Sequence, residues 1–194
     1  AGALWRGAMS ETLDQLRQEH KALARLLDIL ETELARFGNA QPPDYEIMRA
    51  IADYFLDYPA ACHHPKEDLV YRALVERNPD IANTVGDVEA EHVSIAELVK
   101  LFAQAVNNIT QDAEVSRDAF DHIVRHFVEQ QRRHIDREEG QLFPLAAETL
   151  TAEDWAAIDG RIADREDPLF GAMPEARFAT LREDIENWEG EALS

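Results

Sequence analysis

The run Arg133 to Pro144, R-H-I-D-R-E-E-G-Q-L-F-P, carries a histidine and a glutamate four residues apart, His134 and Glu138. On a helix that spacing stacks an imidazole and a carboxylate on one face, an edge suited to a metal ion. A second run, Cys62 to Tyr71, C-H-H-P-K-E-D-L-V-Y, repeats the spacing with His63 and Glu67, and an acid follows each glutamate, Asp68 and Glu139. His63 and His134 are 71 residues apart, as are Glu67 and Glu138. Two isolated histidines, His20 and His92, keep nearly the same step of 72. The chain therefore reads His, then His-x-x-x-Glu, twice over, so that each repeat is a helix pair supplying three ligands.

Taken singly, His20 or His92 on an apolar stripe reads as a hydrogen-bonded core histidine. Taken together, four histidines and two glutamates in a duplicated register would be buried polar groups costing about a few kcal/mol each if left unpaired. Metal binding removes that cost. Four nitrogens and two carboxylates able to bridge suit a di-iron centre inside a four-helix bundle, with manganese or zinc as substitutes. Six protein ligands leave positions for an exogenous molecule. His122 and His126 read as surface residues, Cys62 as a small core residue, and Tyr71 as core packing or as a phenol ordering the surroundings of Glu67.

The elements that must position these groups are helical. Leu13, Leu16, His20, Leu23, Leu27 and Leu30 form the inner stripe of a first helix, capped at Ser10 and ending near Gly38. A second helix begins at Pro43 or Asp44 and runs to about Arg77, with a kink or short break expected near Asp57 to Pro59. A third spans Asp80 to Asn107 and carries His92. A fourth spans Asp112 to Ala147 and carries His134 and Glu138. Thr151 to Asp154 reads as a capping box opening a short helix toward Ala163, and a last helix lies near Pro174 to Trp188. The expected class is all-α, an up-and-down four-helix bundle over residues 10–148 with additional C-terminal helices in 149–194 packed on it. Residues 1–9 read as an expression remnant or a disordered start.

The chain of 194 residues has room for one packed domain. Its formal charge of −20 disfavours nucleic acid and anionic membrane surfaces and favours cations. A single cysteine excludes an intramolecular disulfide, and no apolar run is long enough to span a bilayer, so a cytoplasmic protein is expected.

The order and spacing of these motifs resemble the hemerythrin-like HHE cation-binding family, through H-H-P-K-E-D-L-V-Y, H-I-D-R-E-E-G-Q-L-F-P and both isolated histidines, over about Glu11 to Ala147. The resemblance implies an oxygen-bridged di-iron site and chemistry with dioxygen, nitric oxide or peroxide. It allows an oxidoreductase acting on peroxide or nitric oxide, and equally a non-catalytic sensor, storage or iron-delivery protein. The oxygen-carrying members use five histidines, two of them four residues apart on the third helix. Here Ala96 stands four beyond His92, and His64, Asp68, Tyr54 and Tyr58 are the candidates to replace the missing donor. On that ground peroxide or nitric oxide chemistry is expected rather than reversible oxygen carriage. Those carriers also place the last carboxylate at the position of Glu139, whereas the internal register here favours Glu138. A ferritin-like oxidase would need two Glu-x-x-His pairs, and only Glu89 to His92 has that spacing.

Overall fold

The computed structural model describes residues 11–39, 41–111, 116–162 and 165–192, with side chains to Asn187. Residues 1–9, the Ser10 cap, the Asp112 start and the Ala163 end lie outside the described residues. The helices are α1 Glu11–Gly38, α2 Tyr45–Tyr58, α3 His64–Arg77, α4 Ile81–Val85, α5 Val88–Thr110, α6 Arg117–Arg137, α7 Phe143–Thr149, α8 Ala152–Asp159 and α9 Ala179–Ala192. No strand occurs among the described residues. A π turn at Pro59–His63 joins α2 to α3, and another at Glu138–Leu142 joins α6 to α7, giving two long rods. α1 packs on α6, α6 on α5, α5 on α2, and the α2–α3 rod returns to α1. This is the up-and-down four-helix bundle, with additional C-terminal helices.

Side-chain caps set four of the starts among the described residues. The Asp44 carboxylate accepts from the Glu46 and Ile47 amides, Asp87 from Ala90, and Ser116 from Ala119. Thr151 and Asp154 form the expected capping box. Two expectations need correction. The third helix is not continuous from Asp80 but breaks at Gly86, whose φ of 80° ends α4 and lets Asp87 cap α5. The anticipated kink before Pro59 is instead a π turn beginning at Pro59, and a matching turn precedes Pro144.

Proline explains both turns. Pro65 and Pro144 have no amide hydrogen, and their rings crowd the carbonyl four residues back. In each case the preceding amide, His64 or Phe143, reaches five residues back, to Pro59 O or Glu138 O. The wider turn keeps the rod unbroken where a regular helix would clash.

Along each rod the buried face changes from apolar to polar to apolar. On α1, Leu13 and Leu16 precede Glu19 and His20, which precede Leu23 through Leu34. On α6 and α7, Phe127 and Val128 precede Gln131, His134 and Glu138, which precede Leu142 and Phe143. Two apolar cores result, one around Phe55, Phe102 and Phe127, the other around Leu16, Val70 and Phe143, with a polar layer between them. The C-terminal segment adds Leu169, Phe178, Leu181 and Ile185 to the larger core. The Tyr54 hydroxyl donates to Asp167 at 2.8 Å, and Arg165 and Arg177 both pair with Asp57. No helix among the described residues is long and apolar enough to cross a membrane.

Gly86 offers a direct check on the α4–α5 break. Its backbone region is one that side chains rarely adopt, so Gly86→Ala is expected to cost about 1–3 kcal/mol, read as a lowered midpoint in urea.

Candidate metal centre

Six side chains predicted from spacing meet in the polar layer: His20 from α1, His63 from the first π turn, Glu67 from α3, His92 from α5, His134 from α6 and Glu138 from the second π turn. All are buried. Glu67 Oε1 lies 3.0 Å from His20 Nε2 and 3.1 Å from His63 Nε2, while its Oε2 lies 3.4 Å from His92 Nε2. Glu138 Oε2 lies 3.3 Å from His20 Nε2 and 3.2 Å from His134 Nε2, and its Oε1 is 3.6 Å from His92 Nε2. Each carboxylate thus faces both halves of the cluster.

His64 also enters. Its ring stacks on His92 at 4.2 Å between centroids, and its ligand atom groups with those of Glu67, His92 and His134, all within 4.8 Å of one another. His20, His63 and Glu67 form the other such group. The remaining candidates for the missing donor sit elsewhere: Asp68 is bonded to His92, Tyr58 to Glu19 and Tyr54 to Asp167. Glu89, half of the ferritin-like pair, bonds Arg72 instead. His122 and His126 stack on each other on the outer part of α6, and Cys62 is a buried free thiol in the larger core. Tyr71 packs in the smaller core.

A carboxylate stands behind each of four histidines. His63 Nδ1 is 2.7 Å from Glu19, His20 Nδ1 2.9 Å from Glu139, His92 Nδ1 2.8 Å from Asp68, and His134 Nδ1 3.4 Å from Glu91. Donation from Nδ1–H fixes the tautomer and leaves the Nε2 lone pair for a metal. Glu19 is itself held by the Lys66 ammonium at 2.6 Å and the Tyr58 hydroxyl at 2.9 Å, and Glu91 by Arg137. Glu138 is 1% exposed within the cluster, whereas Glu139 is partly exposed behind His20 and near Arg17.

Sequence reasoning had not named Glu19, Glu91, Lys66 or Arg137 as parts of the site. The signal was present in the repeat. Glu19 and Glu91 are 72 residues apart, and Lys66 and Arg137 are 71 apart. The duplicated unit is therefore Glu-His, then His with a cation, a glutamate and a second acid.

The donor set fits metal ions on observed grounds. Nε2 of His63, His64, His92 and His134, Oε2 of Glu67 and both oxygens of Glu138 are buried without a hydrogen-bond partner among the described residues. Several lie close to one another yet are misaligned for hydrogen bonding. Two ligands about 2.1 Å from one cation and at right angles to each other would be ~3.0 Å apart, close to the shortest of these separations. Charge points the same way: Glu19, Glu67, Asp68, Glu91, Glu138 and Glu139 outnumber Arg17, Lys66 and Arg137.

Without metal, protons meet part of this demand. Burial pulls His20 and His92 down, but the carboxylates of Glu138, Glu139 and Glu67 beside the first, and of Asp68, Glu138 and Glu67 beside the second, push each up to about 11. Burial, reinforced by neighbouring His92, holds His64 well below the usual histidine range and keeps it neutral. Burial would raise Glu19, yet His63 and Lys66 bring it down to about 2.

The bundle and its imidazole and carboxylate layer define a helical cation-binding protein. The model of one family, the hemerythrin HHE cation binding domain, matches residues 11–146, and the chain belongs to that family. Comparison with the curated proteins and with the solved structures gives no match.

Lys66 is 3% exposed and has Glu19 as its partner carboxylate. Glu19→Ala should leave that ammonium buried without a counter-charge, destabilising the metal-free protein by about 3–5 kcal/mol in urea unfolding. The double variant Glu19→Ala with Lys66→Met should recover part of the loss.

Proposed function

We propose that the cluster holds two iron ions and presents them to a small exogenous ligand, hydrogen peroxide, nitric oxide or dioxygen. His20 and His63 would serve one ion, His64, His92 and His134 the other, and Glu67 and Glu138 would bridge them. The observation that carries this reading is the set of buried, unpartnered imidazole nitrogens gathered around two carboxylates. Bound iron would supply Lewis acidity and one-electron redox chemistry. Imidazole with carboxylate, and no thiolate, suits iron or manganese.

The protein's own part is to fix the donors. Glu19, Asp68, Glu91 and Glu139 hold four rings in orientation, and Lys66, Arg137 and Arg17 pair with Glu19, Glu91 and Glu139 in turn. The apolar cores on either side exclude water from the layer. Five histidines divide three to two, so the side served by His20 and His63 has fewer protein donors and is where an exogenous ligand would bind. His64 supplies the nitrogen absent at Ala96, so the histidine count gives no reason to set dioxygen apart from the other ligands. A cytoplasmic setting accords with the single cysteine.

Anaerobic loading of the full chain with ferrous iron, followed by metal analysis and visible spectra under dioxygen, nitric oxide and peroxide in turn, tests the reading. Two irons per chain are expected, one for each histidine group; a stoichiometry near zero overturns it. Turnover of peroxide or nitric oxide marks an enzyme, and a stable adduct without turnover marks a carrier or sensor.

Two sets of variants resolve the ligands. Glu138→Ala should lower iron content and thermal midpoint together, whereas Glu139→Ala should weaken iron binding by about 10–100-fold and still fill at saturating metal. The reverse order would move the ligand one position along the chain. His64→Ala should lower the stoichiometry toward a single iron; an unchanged content would remove His64 from the set.

A further inference from the structure

Among the described residues, all but one of the buried side-chain atoms that lack a hydrogen-bond partner belong to the residues assigned above to the metal centre. The exception is Oε1 of Gln131, a side chain 1% exposed. Gln131 stands three residues before His134 and seven before Glu138, a spacing that keeps all three on one stripe of the rod. Behind it on α6 lie Phe127 and Val128, both in the larger apolar core. The carboxamide therefore sits where the polar layer meets that core.

An amide oxygen removed from water costs free energy unless a donor reaches it. Phe127 and Val128 have no proton to give, the Tyr54 and Tyr58 hydroxyls of that core donate to Asp167 and Glu19, and Nδ1 of His20, His63, His92 and His134 is already directed at a carboxylate. The duplication does not impose a polar residue here either, since the position 71 residues earlier is Ala60.

We propose that Gln131 accepts a hydrogen bond from the exogenous molecule at the centre and so selects a ligand that carries an O–H group. Hydrogen peroxide meets that requirement. Nitric oxide has no proton to donate. Gln131 is then a specificity-determining residue, acting by one hydrogen bond with no bond made or broken. The inference rests on the reading of the cluster as a metal centre and narrows its ligand to the peroxide class.

The test compares the iron-loaded full chain with Gln131→Leu and with Gln131→Met, which keeps the side-chain length if leucine disturbs the packing. Iron content should be unchanged, and the thermal midpoint of the metal-free protein should not fall, because an unpartnered polar group has been removed. The rate constant for reaction with hydrogen peroxide should drop about tenfold, and nitric oxide affinity should stay within about twofold. Parallel changes with both ligands, or no change with either, would overturn the assignment. So would a wild-type protein that takes nitric oxide and ignores peroxide, and in that case the metal centre stands. A wild-type protein that loads iron but answers no ligand removes the ligand-binding reading and Gln131 with it.

Discussion

Two carboxylates enclosed at the middle of a helix bundle set the terms for the rest of the molecule. Glu67 and Glu138 are essentially without solvent, and a buried anion is tolerated only beside positive charge and hydrogen-bond donors. The five surrounding histidines meet that demand in two ways, as protonated rings on His20 and His92 or as neutral ligands around cations. The first arrangement leaves most Nε2 atoms without a satisfactory partner, and the second uses them. Metal binding and the folded state are coupled through this layer, because the groups that bind are the groups the fold would otherwise bury at a cost.

The carboxylates are themselves held within an approximate twofold pattern. Glu19 and His63 belong to the first repeat, as Glu91 and His134 belong to the second. His20 and His92 instead take their supporting acids, Glu139 and Asp68, from the opposite repeat. Cross-bracing of this kind means that neither half can orient its isolated histidine alone. The pattern breaks at two places. His64 has Ile135 as its counterpart, and this one difference turns an even division of histidines into three against two. Gln131, opposite Ala60 in the register, is the second break.

Most of the bundle could be read from apolar periodicity, because its rods are long and amphipathic. The six predicted cluster residues could be read from spacing, because a helix converts four-residue steps into shared faces. Their supporting acids were present in the same repeat but resembled surface charge, since Glu19 and Glu91 each merely precede a histidine. The π turns were hidden for a different reason. Proline signals an interrupted helix, yet whether the chain kinks or widens depends on what the neighbouring rods require, and that is tertiary information. His64 is the clearest case: on a regular helix it points about 100° from His63, so adjacent histidines give no sign that both will be enclosed. The break at Gly86 was readable in principle, since Gly-Asp is a cap signal, but the apolar spacing on either side masked it.

The C-terminal segment lies beyond residues 11–146 that define the family, yet it bears on the same layer. Several of its polar attachments fall on Tyr54 and Asp57, immediately before the π turn that carries His63, and Arg165 reaches Cys62 Sγ at 3.9 Å, one residue from that histidine. A widened turn has fewer geometric constraints than a regular helix, so its flanks must be fixed from outside. On the far side of the turn Pro65 limits the backbone, and on the near side Asp167, Arg165 and Arg177 hold the end of α2. The second π turn begins at Glu138 itself and is fixed through other contacts, with Arg137 drawn to Glu91 and Phe143 stacked on His20 at 5.2 Å. The two turns place equivalent donors but are secured by unlike means, and the first draws its support from outside the family domain.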